Sequence, residues 1–193
     1  MVAARNHDVA FIVMLAGPGV PGSELLVEQV LRISEATGMS HADAEKSAAK
    51  EREVLALIVK EKDNAVLEKE LRTKLTGDAS EAQLSGEIKT ISSPWFRFFL
   101  TYDPATSLRK VTCPVLALNG SKDTQVSAQQ NLPAIRKALE EGGNKHFEIV
   151  ELAGLNHLFQ TAKTGAPGEY AEIEETMSPV ALDRIAGWIL QQD

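Results

Sequence analysis

The sequence lacks several features that mark particular classes of protein. One cysteine, Cys113, excludes an intramolecular disulfide and is compatible with a cytoplasmic protein. No lysine and arginine run exceeds two residues and the net charge is −7, so nucleic-acid binding is not expected. The longest apolar run, from Val9, is far shorter than the roughly 18 residues that span a bilayer. The first eight residues do not resemble a signal peptide. We therefore expect a cytoplasmic protein that does not cross a membrane.

Metal and cofactor sites are also not indicated by the sequence. The four histidines show no ligand spacing among themselves or with Cys113, so we predict no metal site and no cofactor. With 193 residues, 44% of them apolar and 24% charged, the chain has the composition of a soluble globular domain with a core.

Apolar patterning predicts alternating strands and helices. Two short apolar runs predict buried strands, at Val9–Ala16 and Cys113–Gly120, and alternating apolar and polar residues predict a third strand at His146–Leu152. Helical spacing predicts helices over Ser23–Gly38 with Ser23 as N-cap, Ser40–Val59 with Ser40 as N-cap, Asn64–Leu75, Asn131–Gly142 and Pro179–Gln191, while residues 77–90 are expected to be loop-like or weakly helical. This order predicts an α/β fold with a parallel sheet. Three strands are few for this length, so the order is typical of the C-terminal part of a larger fold.

One glycine-rich loop imitates a nucleotide-binding sequence. Residues 17–22, Gly-Pro-Gly-Val-Pro-Gly, fit the G-x-G-x-x-G pattern between a strand and a helix. Pro18 and Pro21 remove two of the backbone N–H groups that would hold a pyrophosphate. The long helical region that follows offers no second strand ending in an acidic residue. We therefore interpret the loop as a stiff turn.

Two residues that suit acid–base chemistry follow neighbouring predicted strands. Asp123 comes just after the second strand, and His157 comes just after the third, 34 residues later. Sites in open α/β sheets gather at the carboxyl ends of the strands. A carboxylate on one ring nitrogen fixes the tautomer of a histidine base and stabilises its protonated form. The sequence therefore predicts that Asp123 and His157 act as a catalytic pair.

Four segments resemble bacterial α/β-hydrolases of the esterase and prolyl-oligopeptidase-like branch. Residues 113–126, CPVLALNGSKDTQV, resemble the loop of the catalytic acid, and residues 155–160, LNHLFQ, resemble the histidine loop. Residues 9–21 resemble the strand and loop after the nucleophile region, and the helix from Ser178 to Ile189 fits the same group. The resemblance implies a partial α/β-hydrolase core at residues 1–22 and 101–193 with a lid-like helical insertion at residues 23–100. It also implies a parent activity on carboxylic esters or related acyl bonds of small molecules, through a Ser-Asp-His triad.

The chain departs from this family at the nucleophile. No G-x-S-x-G sequence occurs in it, and its first residues resemble the end of the helix that follows that sequence in the family. We therefore expect a truncated chain that holds the acid and base only and is weakly active or inactive. Cys113 lies at the wrong end of its strand to replace the serine, and Ser121 and Ser127 lie on no evident strained turn. Missing strands would leave an open sheet edge, so we also expect self-association there.

An aromatic cluster offers a candidate binding surface and leaves other functions open. Residues 94–100 hold one of the two tryptophans and three of the six phenylalanines. Trp95, Phe96 and Phe99 are candidate substrate-binding residues, although core packing is the simpler explanation of this segment. One alternative function is a non-catalytic binding or assembly module that uses the helical insertion and this cluster. Another is a residual enzyme in which Asp123 and His157 activate water directly.

Overall fold

The computed structural model describes residues 1–75 and 80–192, which form a mixed α/β fold around a three-stranded parallel sheet. The strands are β1 (Ile12–Leu15), β2 (Val115–Gly120) and β3 (Phe147–Leu152), in the spatial order β1-β2-β3. All three predicted strands are present, each shorter at its start than predicted. The parallel sheet is confirmed.

Helices connect and cover the strands. Within the described ranges the α-helices are α1 (Gly22–Ala36), α2 (His41–Lys60), α3 (Asn64–Lys74), α4 (Glu81–Ile91), α5 (Pro94–Thr101), α6 (Ala105–Leu108), α7 (Ala128–Glu141) and α8 (Pro179–Ile189), with a short 3₁₀ helix at Pro167–Glu172. No helix of residues 1–75 and 80–192 is long and apolar enough to cross a membrane.

The sheet has one helix layer on each face. Alternate residues of β2, Val115 and Ala117, pack under α7 together with Leu132, Ile135 and Leu139. The other alternate residues of β2 pack under α8 in a second cluster, which includes Leu116, Leu118, Ala181 and Trp188. Every residue of β2 is buried. This explains the continuous apolar run in its sequence, since a central parallel strand is covered on both faces.

The first strand is less buried than the sequence predicts. Its first three residues are half-buried, and Leu15 is 44% exposed. The reason is position, because β1 pairs with β2 on one side only and is an edge of the sheet that the described residues form. On the face of the sheet that is covered by α8, the ring of Phe11, the residue before β1, packs against the ring of Trp188 with centroids 5.7 Å apart.

The helices between β1 and β2 have a core of their own. Ile58, Leu67, Leu71 and Leu100 are completely buried in it. The boundaries of α1, α2 and α3 are close to those predicted, whereas α5 and α6 were not predicted. Ser40 caps α2 as expected by accepting a hydrogen bond from the Asp43 N–H. Ser23 is not an N-cap.

The prediction that Ser23 is the N-cap of α1 is wrong for a local reason. The helix starts at Gly22, one residue earlier than Ser23, and Pro21 occupies the N-cap position. Glu24 and Leu25 donate their N–H groups to the Pro21 carbonyl, so the first turn closes without a side-chain cap.

Residues 81–90 are helical as part of α4, whose capping box joins Ser80 and Gln83. Residues 77–79 of that predicted loop lie outside the described residues. The division of the chain into domains stays a prediction.

Candidate active site

The loops after β2 and β3 lie side by side at the carboxyl edge of the sheet. The two strands are paired in register to their last residues, Gly120 and Leu152. Beyond the strands, Ser121 N–H donates to the Leu152 carbonyl and Lys122 N–H donates to the Leu155 carbonyl, both at 2.9 Å. We call residues 121–126 the acid loop and residues 153–160 the histidine loop. The pairing of β2 and β3 therefore continues into the loops that carry Asp123 and His157.

The Asp123 carboxylate is completely buried and makes four hydrogen bonds. Its Oδ1 accepts the N–H groups of Gln125 at 2.9 Å and Val126 at 2.8 Å, which folds the acid loop around the carboxylate. Its Oδ2 accepts Asn119 Nδ2 at 3.3 Å and lies 2.9 Å from His157 Nδ1. A buried carboxylate is costly unless it is hydrogen-bonded or paired, and these four donors offset that cost. The carboxylate is thus fixed in one orientation toward His157.

The histidine loop is held from within by a buried asparagine. Asn156 Oδ1 accepts the N–H groups of Leu158 and Gln160, each at 2.9 Å, and its Nδ2 donates to Gln160 Oε1 at 2.9 Å. Phe159, 2% exposed, has a φ of 59°, a left-handed conformation that is unfavourable for a side chain of its kind. The loop therefore holds His157 in a defined place at a local conformational cost.

Asp123 and His157 form the hydrogen-bonded pair that their positions in the sequence predict. His157 Nδ1 faces the carboxylate, and 27% of its side chain remains exposed while none of the Asp123 side chain is. A carboxylate at Nδ1 favours the tautomer with a proton on Nδ1, which leaves Nε2 unprotonated and able to accept a proton. The arrangement is therefore suited to general-base chemistry at Nε2.

The aromatic cluster lies on α5, one of the helices between β1 and β2. The Trp95 ring stacks on Phe99 with centroids 5.8 Å apart, and Phe96 and Phe99 pack against the core of the helices. Phe99 also lines a cavity of about 220 Å³, whose wall includes neither Asp123 nor His157. The substrate-binding role of Trp95, Phe96 and Phe99 stays a prediction. Trp95 is 68% exposed, so core packing does not account for it.

Other candidate groups are engaged elsewhere. Ser121 Oγ accepts the Gly154 N–H, and Ser127 Oγ donates to Gln129 Oε1. Cys113 precedes β2, at the opposite end of the strand from Asp123. Gly19 N–H, in the glycine-rich loop, donates to Asn131 Oδ1 at 2.8 Å and so is already used within the chain. In residues 1–75 and 80–192, no three His, Cys, Asp or Glu side chains are placed to hold a metal ion.

Two residues that build the site, Asn119 and Asn156, were not predicted from the sequence. Both are fully buried, and each contacts the residue or loop that carries the chemistry. The sequence did hold a signal for them. An asparagine that ends a buried apolar strand, or directly precedes a candidate base, needs hydrogen-bond partners once it is buried.

Comparison with models of protein families, with curated proteins and with solved structures finds no match to this chain.

Proposed function

We propose that this chain supplies the acid and the base of an α/β-hydrolase-type site, with Asp123 orienting His157 for hydrolysis of carboxylic esters or related acyl bonds. The observation that carries the proposal is the 2.9 Å contact between His157 Nδ1 and the buried Asp123 Oδ2, on neighbouring loops at the carboxyl edge of a parallel sheet. The fold that we propose is a partial α/β-hydrolase core. The order of the pair, aspartate before histidine, and the flanking sequences support it.

The chain alone is expected to be a weak catalyst or none. It has no G-x-S-x-G sequence, and loss of the nucleophile from a triad lowers kcat about a million-fold in one well-studied case. A histidine base held by a carboxylate can still activate water, since general-base catalysis contributes roughly 10²–10⁴-fold. The proposal therefore predicts a small hydrolytic rate that depends on His157 and resists serine-directed phosphonates.

Hydrolysis of a short p-nitrophenyl ester tests this proposal. Wild-type chain, His157→Ala and a matched control, His146→Ala, are compared at equal concentration. His146 is exposed and precedes β3 at the opposite end from the site, so its removal controls for unspecific catalysis by surface imidazoles. A rate above background that is lost only in His157→Ala supports the proposal. A rate that survives His157→Ala contradicts it.

A non-catalytic binding module is the second candidate, favoured by the exposed aromatic side chains of α5. Trp95 is 68% exposed and Phe98 is 51% exposed, which is unusual for large aromatic residues on one helix. Equal background hydrolysis by wild type and His157→Ala would favour this function. Binding of an apolar fluorescent probe that is lost in Trp95→Ala but unchanged in His157→Ala would support it directly.

Self-association is proposed through the free edge of β1. Among the residues that the structure describes, no strand pairs with β1 on the side away from β2, Val13 is half-buried and Leu15 is 44% exposed. Such an edge can pair with another chain, and a lysine placed on it opposes pairing. Light scattering should show the mass of the wild-type chain rising above 20.9 kDa with concentration, and less so for Leu15→Lys. A monomer over a wide concentration range would count against the interface.

A further inference from the structure

The segment that follows the histidine loop returns across the acid loop. Three side chains of the acid loop donate hydrogen bonds to it: Lys122 Nζ to the Lys163 carbonyl, Thr124 Oγ1 to the Gly165 carbonyl at 2.9 Å, and Gln125 Nε2 to Tyr170 Oη at 2.9 Å. We call residues 163–170 the strap. The remaining member of these four consecutive residues is Asp123, whose side chain faces His157 instead. The acid loop is thus held on one side by the strap and on the other by the base.

The contact between strap and acid loop is too close for any side chain at position 165. Gly165 is buried with a φ of +78°, a conformation that favours glycine. A Cβ atom there would lie 1.9 Å from the carbonyl oxygen of Lys122, which belongs to the backbone and cannot rotate away as a side chain could. At Gly168, another strap residue, a Cβ atom would meet no other atom within 4 Å, and the φ of this glycine is not positive. Only the first of these two glycines is required by the contact.

The strap is itself fixed by an internal carboxylate. Glu169 accepts the N–H groups of Gly165, at 2.7 Å, and Thr164, at 3.0 Å. Burial alone would raise the pKa of Glu169, but the hydrogen bonds from Gly165 and Thr164 outweigh it, so the pKa is lowered. Tyr170, at the end of the strap, is half-buried, and burial raises the pKa of its phenol, which stays protonated at neutral pH. Its oxygen can therefore accept from Gln125 while its own proton remains in place.

We infer that the strap is a positioning element for the catalytic pair, in which Gly165 and Tyr170 hold the acid loop so that Asp123 meets His157 Nδ1. The inference rests on the proposed function in one respect, the use of Asp123 to orient His157. Within residues 1–75 and 80–192 the hydrogen bond of the His157 ring goes to Asp123, while the strap bonds to the acid loop, so we infer that its residues act through Asp123. Removing its contacts should release the carboxylate without removing it.

The state of the His157 ring, observed by ¹⁵N and ¹H NMR, tests the inference. A well-placed Asp123 gives a proton on Nδ1 that exchanges slowly with water. Thr124→Val and Tyr170→Phe each remove one strap contact, and a single hydrogen bond contributes enough to change an opening equilibrium about two- to tenfold. We expect exchange of the Nδ1 proton to become faster by about that factor in each variant. Gly165→Ala should remove the slowly exchanging proton altogether, and Gly168→Ala should leave it unchanged.

The outcomes separate the strap from the proposed hydrolysis. Thermal unfolding of each variant identifies any chain that fails to fold, and the two milder variants keep the test decisive if Gly165→Ala does. Unchanged exchange in folded Thr124→Val and Tyr170→Phe would overturn the positioning role. Faster exchange in those variants, together with no ester hydrolysis by the wild type, would support the strap and count only against residual hydrolysis by this chain alone. Equal exchange rates of the His157 Nδ1 proton in wild type and Asp123→Ala would show that Asp123 does not hold this proton, and would reject the pair itself.

Discussion

Replacement of Asn156 by alanine is expected to cost far more than its small change in size suggests. The side chain is fully buried and makes three hydrogen bonds at 2.9 Å, two from the N–H groups of Leu158 and Gln160 and one to Gln160 Oε1. Each bond contributes about 0.5–1.5 kcal/mol net, and the Gln160 N–H would be left buried without a partner. The free energy of unfolding should therefore fall by about 2–4 kcal/mol.

Urea unfolding measures this loss, and Asn6 supplies a matched control. Asn6 Oδ1 accepts the Asp8 N–H at 2.9 Å in the same local pattern, but on the exposed surface. With a slope of about 2 kcal/mol per molar urea, Asn156→Ala should lower the unfolding midpoint by roughly 1–2 M. Asn6→Ala should lower the free energy of unfolding by less than about 0.5 kcal/mol. Equal losses of unfolding free energy in Asn156→Ala and Asn6→Ala would refute the idea that burial makes the Asn156 hydrogen bonds stabilising.

Two further predictions concern the strap and the helices between β1 and β2. The lowered pKa of Glu169 stabilises the folded chain above the ordinary glutamate value of 4.5, and this contribution is lost as the pH falls through the lowered value. The difference in thermal midpoint between wild type and Glu169→Gln should therefore shrink in acid, and a constant difference would contradict the assignment. Leu67→Ala, at a completely buried position of α3, should cost about 2–5 kcal/mol, while the neighbouring Val66→Ala, 42% exposed, should cost much less by urea unfolding.

The sequence carried most of the information on where elements lie, because burial and helical spacing leave direct patterns. The continuous apolar run at 115–118 indicates a central strand, and the structure buries every residue of β2. The similar run from Val9 predicts burial on both faces, yet no residue of β1 is fully buried. Periodicity reports the apolar character of a strand but not whether a neighbour covers it. Edge position depends on which strands pair, which is a tertiary property.

The candidate pair was predictable for a different reason, namely the register of the parallel strands. Asp123 and His157 each follow a strand closely, and parallel strands end at the same edge, so their proximity needed only the correct strand order. The strap was not predictable. Its contacts join residues about 40 positions apart through backbone carbonyls and a 3₁₀ helix, and neither leaves a periodic pattern in the sequence.

Gly120 shows how one residue type connects the sheet to the site. A Cβ atom there would lie 2.1 Å from the Leu155 carbonyl oxygen, so only glycine lets the histidine loop approach the end of β2 this closely. That same carbonyl accepts the Lys122 N–H, and the loops stay paired beyond the strands. A side chain at position 120 would push Leu155 outward and His157, two residues later, with it. The distance between His157 Nδ1 and Asp123 thus depends on a close backbone contact at the strand end, in addition to the charge and hydrogen bonds of the pair itself.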